Sequence, residues 1–169
     1  MRKLVNIAHG RSYWLANLTL GIGLIMAALY YQFELDQQPC VMCIQVRLLF
    51  SLLIIAAFNG LLLRKNRLLN LLAHFSVVAI AVGLVERSYQ LLGTERGFVF
   101  GDCGFDLGLP SWLPLDTWLP WLYRVETSCG YTPEIILGIT MSEMLIVISA
   151  LILCFSLVVT LAAFFRPES

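Results

Sequence analysis

Charge is scarce in this chain of 169 residues, because charged side chains make up only 13% of it and the formal net charge is zero. Hydrophobic residues account for 59%, and the mean hydropathy of +0.82 is far above that of an ordinary soluble domain of this length. The shortage of charge therefore excludes a soluble globular protein and indicates an integral membrane protein. No nucleic-acid partner is expected.

The chain also lacks internal repeats, low-complexity tracts and a signal-peptide cleavage site. The first apolar run is followed directly by "YYQFELDQQPC", which has none of the small residues that a signal peptidase requires. We therefore expect the first run to be retained as a membrane helix.

Long apolar runs occur four times, and each reaches the roughly 20 residues that a spanning helix needs. We predict an all-α membrane protein: a single domain, residues 1–169, built as a four-transmembrane-helix bundle. A long outer loop is expected to carry a short helix at the membrane surface. The predicted helices cover approximately residues 13–31, 44–63, 68–85 and 141–165, and the predicted outer loops cover residues 32–43 and 86–140.

The few charges are segregated between the two sides of this four-helix topology. Ten of the eleven acidic residues, from Glu34 to Glu143, fall on or near the side that carries the loops. By the positive-inside rule, the opposite side, with both termini and the "RKNR" turn, is cytoplasmic. The basic residues on that side are Arg2, Lys3, Arg11, Arg64, Lys65, Arg67 and Arg166.

The long loop is too long to be a passive connection in so small a protein. Its segment "LPSWLPLDTWLPWLYR" contains Trp112, Trp118 and Trp121, and tryptophan is enriched where membrane meets water. The segment is predicted either to lie on the outer leaflet as a short helix or turn, or to fold against the bundle through an apolar patch.

Four of the five cysteines fall on the non-cytoplasmic side, where disulfides persist. Cys40 and Cys43 form a CxxC pair, which is typical of a zinc half-site, a structural disulfide or a redox-active dithiol. Zinc is disfavoured because Cys103 and Cys129 form no second CxxC and the outer loops hold no histidine, so no metal is expected. Cys154, in the middle of the last helix, is expected to be a small apolar packing residue.

The sequence favours redox chemistry for the CxxC pair and leaves the second pair open. A bond between Cys40 and Cys43 closes a loop too short to stabilise the fold much. A bond between Cys103 and Cys129 would contribute about 3 kcal/mol in the chain-entropy model, so a purely structural disulfide remains an alternative there.

Cys43 is predicted to lie at the start of the second helix, whose positive end favours a thiolate. Arg47 follows four residues later, on the same face. An arginine at the outer end of a membrane helix runs against the positive-inside preference. We expect it either to hold a thiolate or to stabilise negative charge on a bound electron acceptor.

With these motifs in place, the chain resembles the disulfide bond formation protein B family of bacterial inner-membrane proteins. The resemblance covers nearly the whole chain and rests on "QPCVMCIQVR", "DCGFD", "WLPLDTWLP", the later "SC" and "LGITMSE". It implies a disulfide oxidoreductase that passes electrons from a periplasmic thioredoxin-fold dithiol oxidase to a membrane quinone, either ubiquinone or menaquinone.

The resemblance also implies roles for the four outer cysteines. Cys103 would be attacked by the partner's thiolate, and Cys129 would be its disulfide partner. Cys40 and Cys43 would form the second disulfide, with Cys43 nearest the quinone ring. Both loops would then be periplasmic and both termini cytoplasmic.

Further positions match or depart from the family pattern around the quinone. Arg47 matches the family's quinone-associated arginine, and Met141 falls where the family places a residue near the same pocket. Val46 stands where the best-known member has an acidic residue, and Gln90 stands where it has a histidine. Gln90 could still donate a hydrogen bond to a quinone carbonyl.

Two other classes of protein remain as alternatives. One is a non-enzymatic membrane subunit whose outer loop is braced by structural disulfides. The other is an enzyme of the vitamin K epoxide reductase type, which also joins a CxxC to a quinone but places it near the end of a late helix. The two histidines, His9 and His74, offer no pair for haem on the cysteine side and are expected to be structural.

Overall fold

The computed structural model describes residues 10–99, 104, 106–110, 113–129, 134–136 and 138–164. Within these residues, four long helices are accompanied by two short helices and a two-stranded hairpin in the connection before the last long helix. In chain order the elements are α1 (Arg11–Phe33), α2 (Val41–Leu63), α3 (Arg67–Glu95), α4 (Leu115–Trp118), α5 (Pro120–Tyr123), β1 (Glu134–Ile136), β2 (Ile139–Thr140) and α6 (Met141–Phe164).

The four long helices contain 23, 23, 29 and 24 residues, and each is long and apolar enough to cross a membrane. At about 1.5 Å of rise per residue, each exceeds the roughly 30 Å hydrocarbon core of a bilayer. The predicted four-helix membrane fold is therefore confirmed, and the chain is a multi-pass membrane protein.

The third helix is longer than predicted, because α3 continues to Glu95 instead of ending near residue 85. Residues 86–95 are too polar to form part of an apolar run, yet packing against α6 keeps them helical. The Ser88 and Ser149 hydroxyls are 3.0 Å apart in the buried interface, and Leu91 is buried. The long connection therefore begins after Glu95 and not at residue 86.

The remaining helix bounds differ from prediction by a few residues. Helix α1 starts at Arg11 and ends at Phe33, two residues beyond the predicted run at each end. Helix α2 starts at Val41 instead of residue 44, so the CxxC pair belongs to its first turn. Helix α6 is described to Phe164.

Extensive packing joins α1 to α2, α2 to α3, and α3 to α6. The outward faces of all four helices carry large apolar side chains, several of them more than 60% exposed, as expected for surfaces that meet lipid. Examples are Met26, Leu62, Leu68 and Leu151.

A buried aromatic cluster closes the bundle at the end away from the CxxC pair. The His74 ring centroid lies 4.7 Å from that of Trp14 and 5.0 Å from that of Tyr13, and all three side chains are almost fully buried. These contacts support a structural role for His74. His9, the other histidine, lies outside the described residues.

A short hairpin fixes the start of α6. Strands β1 and β2 pair in antiparallel fashion, and Gly138 between them has a φ of +82°, a conformation that favours glycine. The Thr140 amide then donates to Glu143 Oε2 at 3.1 Å, while the Glu143 amide donates to Thr140 Oγ1 at 3.4 Å. This reciprocal pair is a capping box, which sets where Met141 begins the helix.

Candidate active site

The CxxC pair is built into the N-terminus of α2. Cys40 is the N-cap residue in an extended conformation (φ −83°, ψ 169°), and its carbonyl accepts the first helical hydrogen bond, from the Ile44 amide at 3.1 Å. One turn of helix brings the Cys43 sulfur to 3.0 Å from the Cys40 sulfur, and both are thiols. The spacing therefore places two sulfurs in contact at the positive end of a helix.

The end of the long connection returns to this same turn. The Glu126 amide donates to the Pro39 carbonyl at 3.0 Å, and Cys40 pairs with Thr127 in an isolated parallel bridge. Two residues further on, the Cys129 thiol is a hydrogen-bond partner of Cys40. The structure therefore brings Cys129 to the CxxC pair, an arrangement that the sequence did not predict.

The surroundings of Cys40 favour its protonated form. Hydrogen bonding to Cys43, followed by burial, raises the pKa of the Cys40 thiol well above its usual value. Cys40, which lies just outside α2, is therefore the thiol of the pair that is harder to ionise.

Arg47 is buried one turn below Cys43, with only 6% of its surface exposed. Its Nη1 donates to Gln32 Oε1 at 2.6 Å and to the Leu122 carbonyl at 3.4 Å, and its Nη2 donates to the Ala28 carbonyl at 3.1 Å. These acceptors belong to α1 and α5, and all three are neutral. Arg47 therefore links two other elements to α2, and no acidic side chain takes part in these contacts.

A cavity of about 230 Å³ lies beside Cys43 and Arg47, mainly between α1, α2 and α6. Both residues line it, and Met141 lines it from the first turn of α6. Most of the remaining wall is apolar, including Phe50 of α2 and Leu91 of α3. Three of the residues predicted to lie near an electron acceptor thus share one largely apolar cavity.

Gln90, the remaining predicted quinone contact, is not brought to this cavity. Its Oε1 accepts from Arg87 at 3.1 Å, and its Nε2 donates to Glu86 at 3.3 Å on the surface of α3. Its neighbour Leu91 faces the cavity instead, because adjacent residues on a helix point about 100° apart. Val46, the other departure from the family pattern, lines the cavity as an apolar residue.

The tryptophan-rich segment docks against the bundle through α5. Leu122 and Tyr123 are buried and pack with Ile44, and the Tyr123 hydroxyl donates to Ser51 Oγ at 2.6 Å. Trp118 and Trp121, in contrast, are 61% and 49% exposed, and Trp112 lies outside the described residues. One face of the segment therefore contacts the bundle and the other is exposed, so the two predicted placements are compatible.

Two further predicted positions need comment. Cys103 lies outside the described residues, so its pairing with Cys129 remains a prediction. The expected packing role of Cys154 is wrong, because this residue is exposed on the outer face of α6 and lies outside the helix interfaces.

Comparison with known proteins identifies the class. The model of the family described as "Disulfide bond formation protein DsbB" matches residues 10–159. The "Disulfide bond formation protein B" of Shewanella frigidimarina (strain NCIMB 400) is 35% identical over 144 residues, which is 85% of each chain. That of Shewanella sp. (strain W3-18-1) is 31% identical over 149 residues, or 88% of this chain and 85% of the relative. The "Disulfide bond formation protein B 2" of Pseudomonas aeruginosa (strain PAO1) is 30% identical over 144 residues, or 84% and 85%.

The fold, the paired cysteines and these matches define a membrane disulfide oxidoreductase. More particularly, the chain belongs to the disulfide bond formation protein B family. The predicted family membership is confirmed.

Proposed function

We propose that this protein is a thiol:quinone oxidoreductase of the bacterial inner membrane, which reoxidises a periplasmic thioredoxin-fold dithiol oxidase and so sustains protein disulfide formation. The observation that carries the proposal is the cavity of about 230 Å³ whose wall includes Cys43, Arg47 and Met141. It has room for a quinone ring, and its apolar wall suits a ligand that arrives through the membrane.

Electrons enter at the long connection. The thiolate of the reduced partner attacks the Cys103–Cys129 disulfide at Cys103, which forms a mixed disulfide and releases Cys129 as a thiolate. The partner's second thiol then displaces Cys103 and leaves with its own disulfide. Two electrons have passed from the partner to Cys103 and Cys129, and the number of disulfide bonds is unchanged.

Electrons then move to the CxxC pair by the same chemistry. The contact between Cys129 and Cys40 supports this step, since a thiolate must approach the sulfur that it attacks. Exchange restores the Cys103–Cys129 bond and leaves Cys40 and Cys43 reduced.

A bound quinone supplies the final oxidising power by accepting two electrons and two protons. Cys43 lines the cavity and would be the sulfur nearest to a bound quinone, while its neighbour Cys40 is the thiol that keeps its proton. Arg47 would supply positive charge both beside the Cys43 sulfur and beside the oxygen of a quinone held in the cavity. The sum is partner dithiol plus quinone giving partner disulfide plus quinol.

The charge segregation supports an orientation with the cysteine-bearing loops in the periplasm and both termini in the cytoplasm. An engineered Asn66→Cys in the basic turn should then resist a membrane-impermeant thiol reagent in intact cells. Cys129 should react with that reagent after reduction. Labelling of the Asn66→Cys thiol in intact cells would contradict the orientation.

The activity is tested by mixing the purified protein with a reduced thioredoxin-fold dithiol protein and a short-chain quinone, and following quinone absorbance. We expect quinone reduction that requires both the protein and the dithiol partner, and that stops in Cys43→Ser. Cys154→Ser is the matched control, because Cys154 lies on the outer face of α6. A Cys43→Ser protein that still reduces quinone would contradict the proposal.

A further inference from the structure

Gln32 is a polar residue in the last turn of α1 that turns away from lipid. Only 8% of its surface is exposed, and its Oε1 accepts a hydrogen bond of 2.6 Å from Arg47 Nη1. Burying an amide in a membrane bundle is costly unless it is bonded. This bond is the shortest of those that hold Arg47.

The contacts of Arg47 leave part of its donor capacity uncommitted. A guanidinium has five N–H donors, and three of them go to Gln32, Leu122 and Ala28. Within the described part of the chain, the Nε–H and one Nη2 hydrogen have no protein acceptor. Arg47 also lines the cavity beside Cys43.

Arg47 also has no direct ion pair with a carboxylate in the described part of the chain. Among the described residues no carboxylate lies within salt-bridge distance of it, and its attraction to Glu126 acts only over a longer range. A buried arginine is usually paired with an acid, because an isolated buried charge is costly. Here an amide oxygen takes the position that a carboxylate would occupy.

We propose that Gln32 is a positioning residue that fixes Arg47 through a neutral acceptor, so that the full positive charge and two N–H donors remain available to the Cys43 sulfur and to the quinone oxygen. The assignment to quinone rests on the proposed function, whereas the assignment to Cys43 rests on the cavity that both residues line and on their spacing of one helical turn. A glutamate at this position would hold the guanidinium equally well but would neutralise it. A leucine would leave the positive charge of Arg47 in place but would not hold the guanidinium in position.

The Gln32→Glu variant distinguishes this proposal from a purely structural role of Gln32. If Gln32 only holds α1 against α2, the turnover of Gln32→Glu with quinone should equal or exceed that of the wild type, because a hydrogen bond between two charged groups is stronger than one with a neutral acceptor. If the positive charge of Arg47 must stay unpaired, Gln32→Glu should turn over more slowly with quinone although the protein folds normally. Gln32→Leu should be impaired by the loss of position.

The first measurement is the quinone dependence of turnover with saturating reduced partner. We expect Gln32→Leu and Gln32→Glu each to raise the KM for quinone by about tenfold, because the first variant loses a hydrogen bond to a charged group and the second weakens the positive charge that would meet the quinone oxygen. The rate of mixed-disulfide formation with the partner should not change. Gln90→Leu is the matched control, since it removes the same amide from the neighbouring α3 outside the cavity, and its KM should be that of the wild type.

The second measurement needs no quinone. In the reduced protein at neutral pH, the rate of Cys43 alkylation by iodoacetamide, resolved by peptide mass spectrometry, should fall about threefold to tenfold in Gln32→Glu, because a neutralised Arg47 supports less thiolate. Unchanged Cys43 alkylation in Gln32→Glu would overturn the proposal, whatever the turnover shows. Altered alkylation in a protein whose wild type reduces no quinone would instead refute the proposed function and leave the role of Gln32 intact.

Discussion

Replacing Arg47 by alanine perturbs the cavity most directly, because this residue supplies its positive charge. The change removes three hydrogen bonds, to Gln32 Oε1 and to the carbonyls of Ala28 and Leu122. It also removes the two donors left for a ligand. Losing one hydrogen bond from a charged donor to quinone costs about 1.5–3 kcal/mol, or roughly tenfold to a hundredfold in quinone affinity.

The expected result is therefore a rise of one to two orders of magnitude in the quinone concentration for half-maximal turnover. Arg47→Lys should recover only part of this loss, because an ammonium keeps the charge but not the planar fork that reaches several acceptors. Mixed-disulfide formation at Cys103 should continue in both variants, since the proposed exchange with the partner does not use Arg47. Steady-state kinetics over a range of quinone concentrations measures the effect.

Folding must be separated from chemistry in this experiment. Arg47→Ala leaves the buried Gln32 amide and the Leu122 carbonyl without a donor, and each unsatisfied group costs about 1–3 kcal/mol of stability. Thermal unfolding in detergent should report this loss, and turnover should be measured well below the transition. An Arg47→Ala protein that is folded and has the quinone dependence of the wild type would refute the reasoning and reduce Arg47 to a structural link.

Two further predictions concern the loop and the core. Cys129→Ser should accumulate a mixed disulfide between Cys103 and the partner on a non-reducing gel, because the free Cys103 thiolate can attack the disulfide of an oxidised partner and no Cys129 thiol remains to displace that partner. The absence of an adduct with any periplasmic thioredoxin-fold protein would contradict the pairing. Gly60→Ala should destabilise the fold by about 1–3 kcal/mol, because its new methyl group would collide with the buried Trp14 ring. Gly23→Ala is the control and should not destabilise the fold, because its methyl group would meet nothing within 4 Å. Equal unfolding temperatures of the two variants would contradict the packing.

Much of the fold could be predicted from the sequence because a membrane imposes a simple rule on it. Apolar runs of spanning length mark the helices, and all four were found. Their ends were less certain, since residues 86–95 of α3 are polar and become helical through packing with α6. The hairpin before α6 also escaped prediction, because its five strand residues carry little pattern of their own.

The candidate site was predictable where spacing on one helix determines it. Cys43 and Arg47 are four residues apart, so their common face follows from helical periodicity. Contacts between distant segments were not predictable in this way. The approach of Cys129 to Cys40 depends on how the loop returns to Pro39. Gln32 was a weaker signal: it is a polar residue in the last turn of an apolar helix, and such a residue can have a buried partner.

In the proposed function, electrons from thiols leave the protein through a quinone held beside Cys43 and Arg47. This electron path is tested most directly by measuring the stoichiometry of a single turnover without oxygen. A known amount of reduced dithiol partner is mixed with the protein and excess quinone, and the amounts of quinol and of partner disulfide are both measured. One quinol should form for each partner disulfide, and quinol formation should be abolished in Cys43→Ser. In a parallel reaction at limiting quinone, Arg47→Ala should form quinol more slowly than the wild type. Partner oxidation without an equal yield of quinol would contradict this electron path.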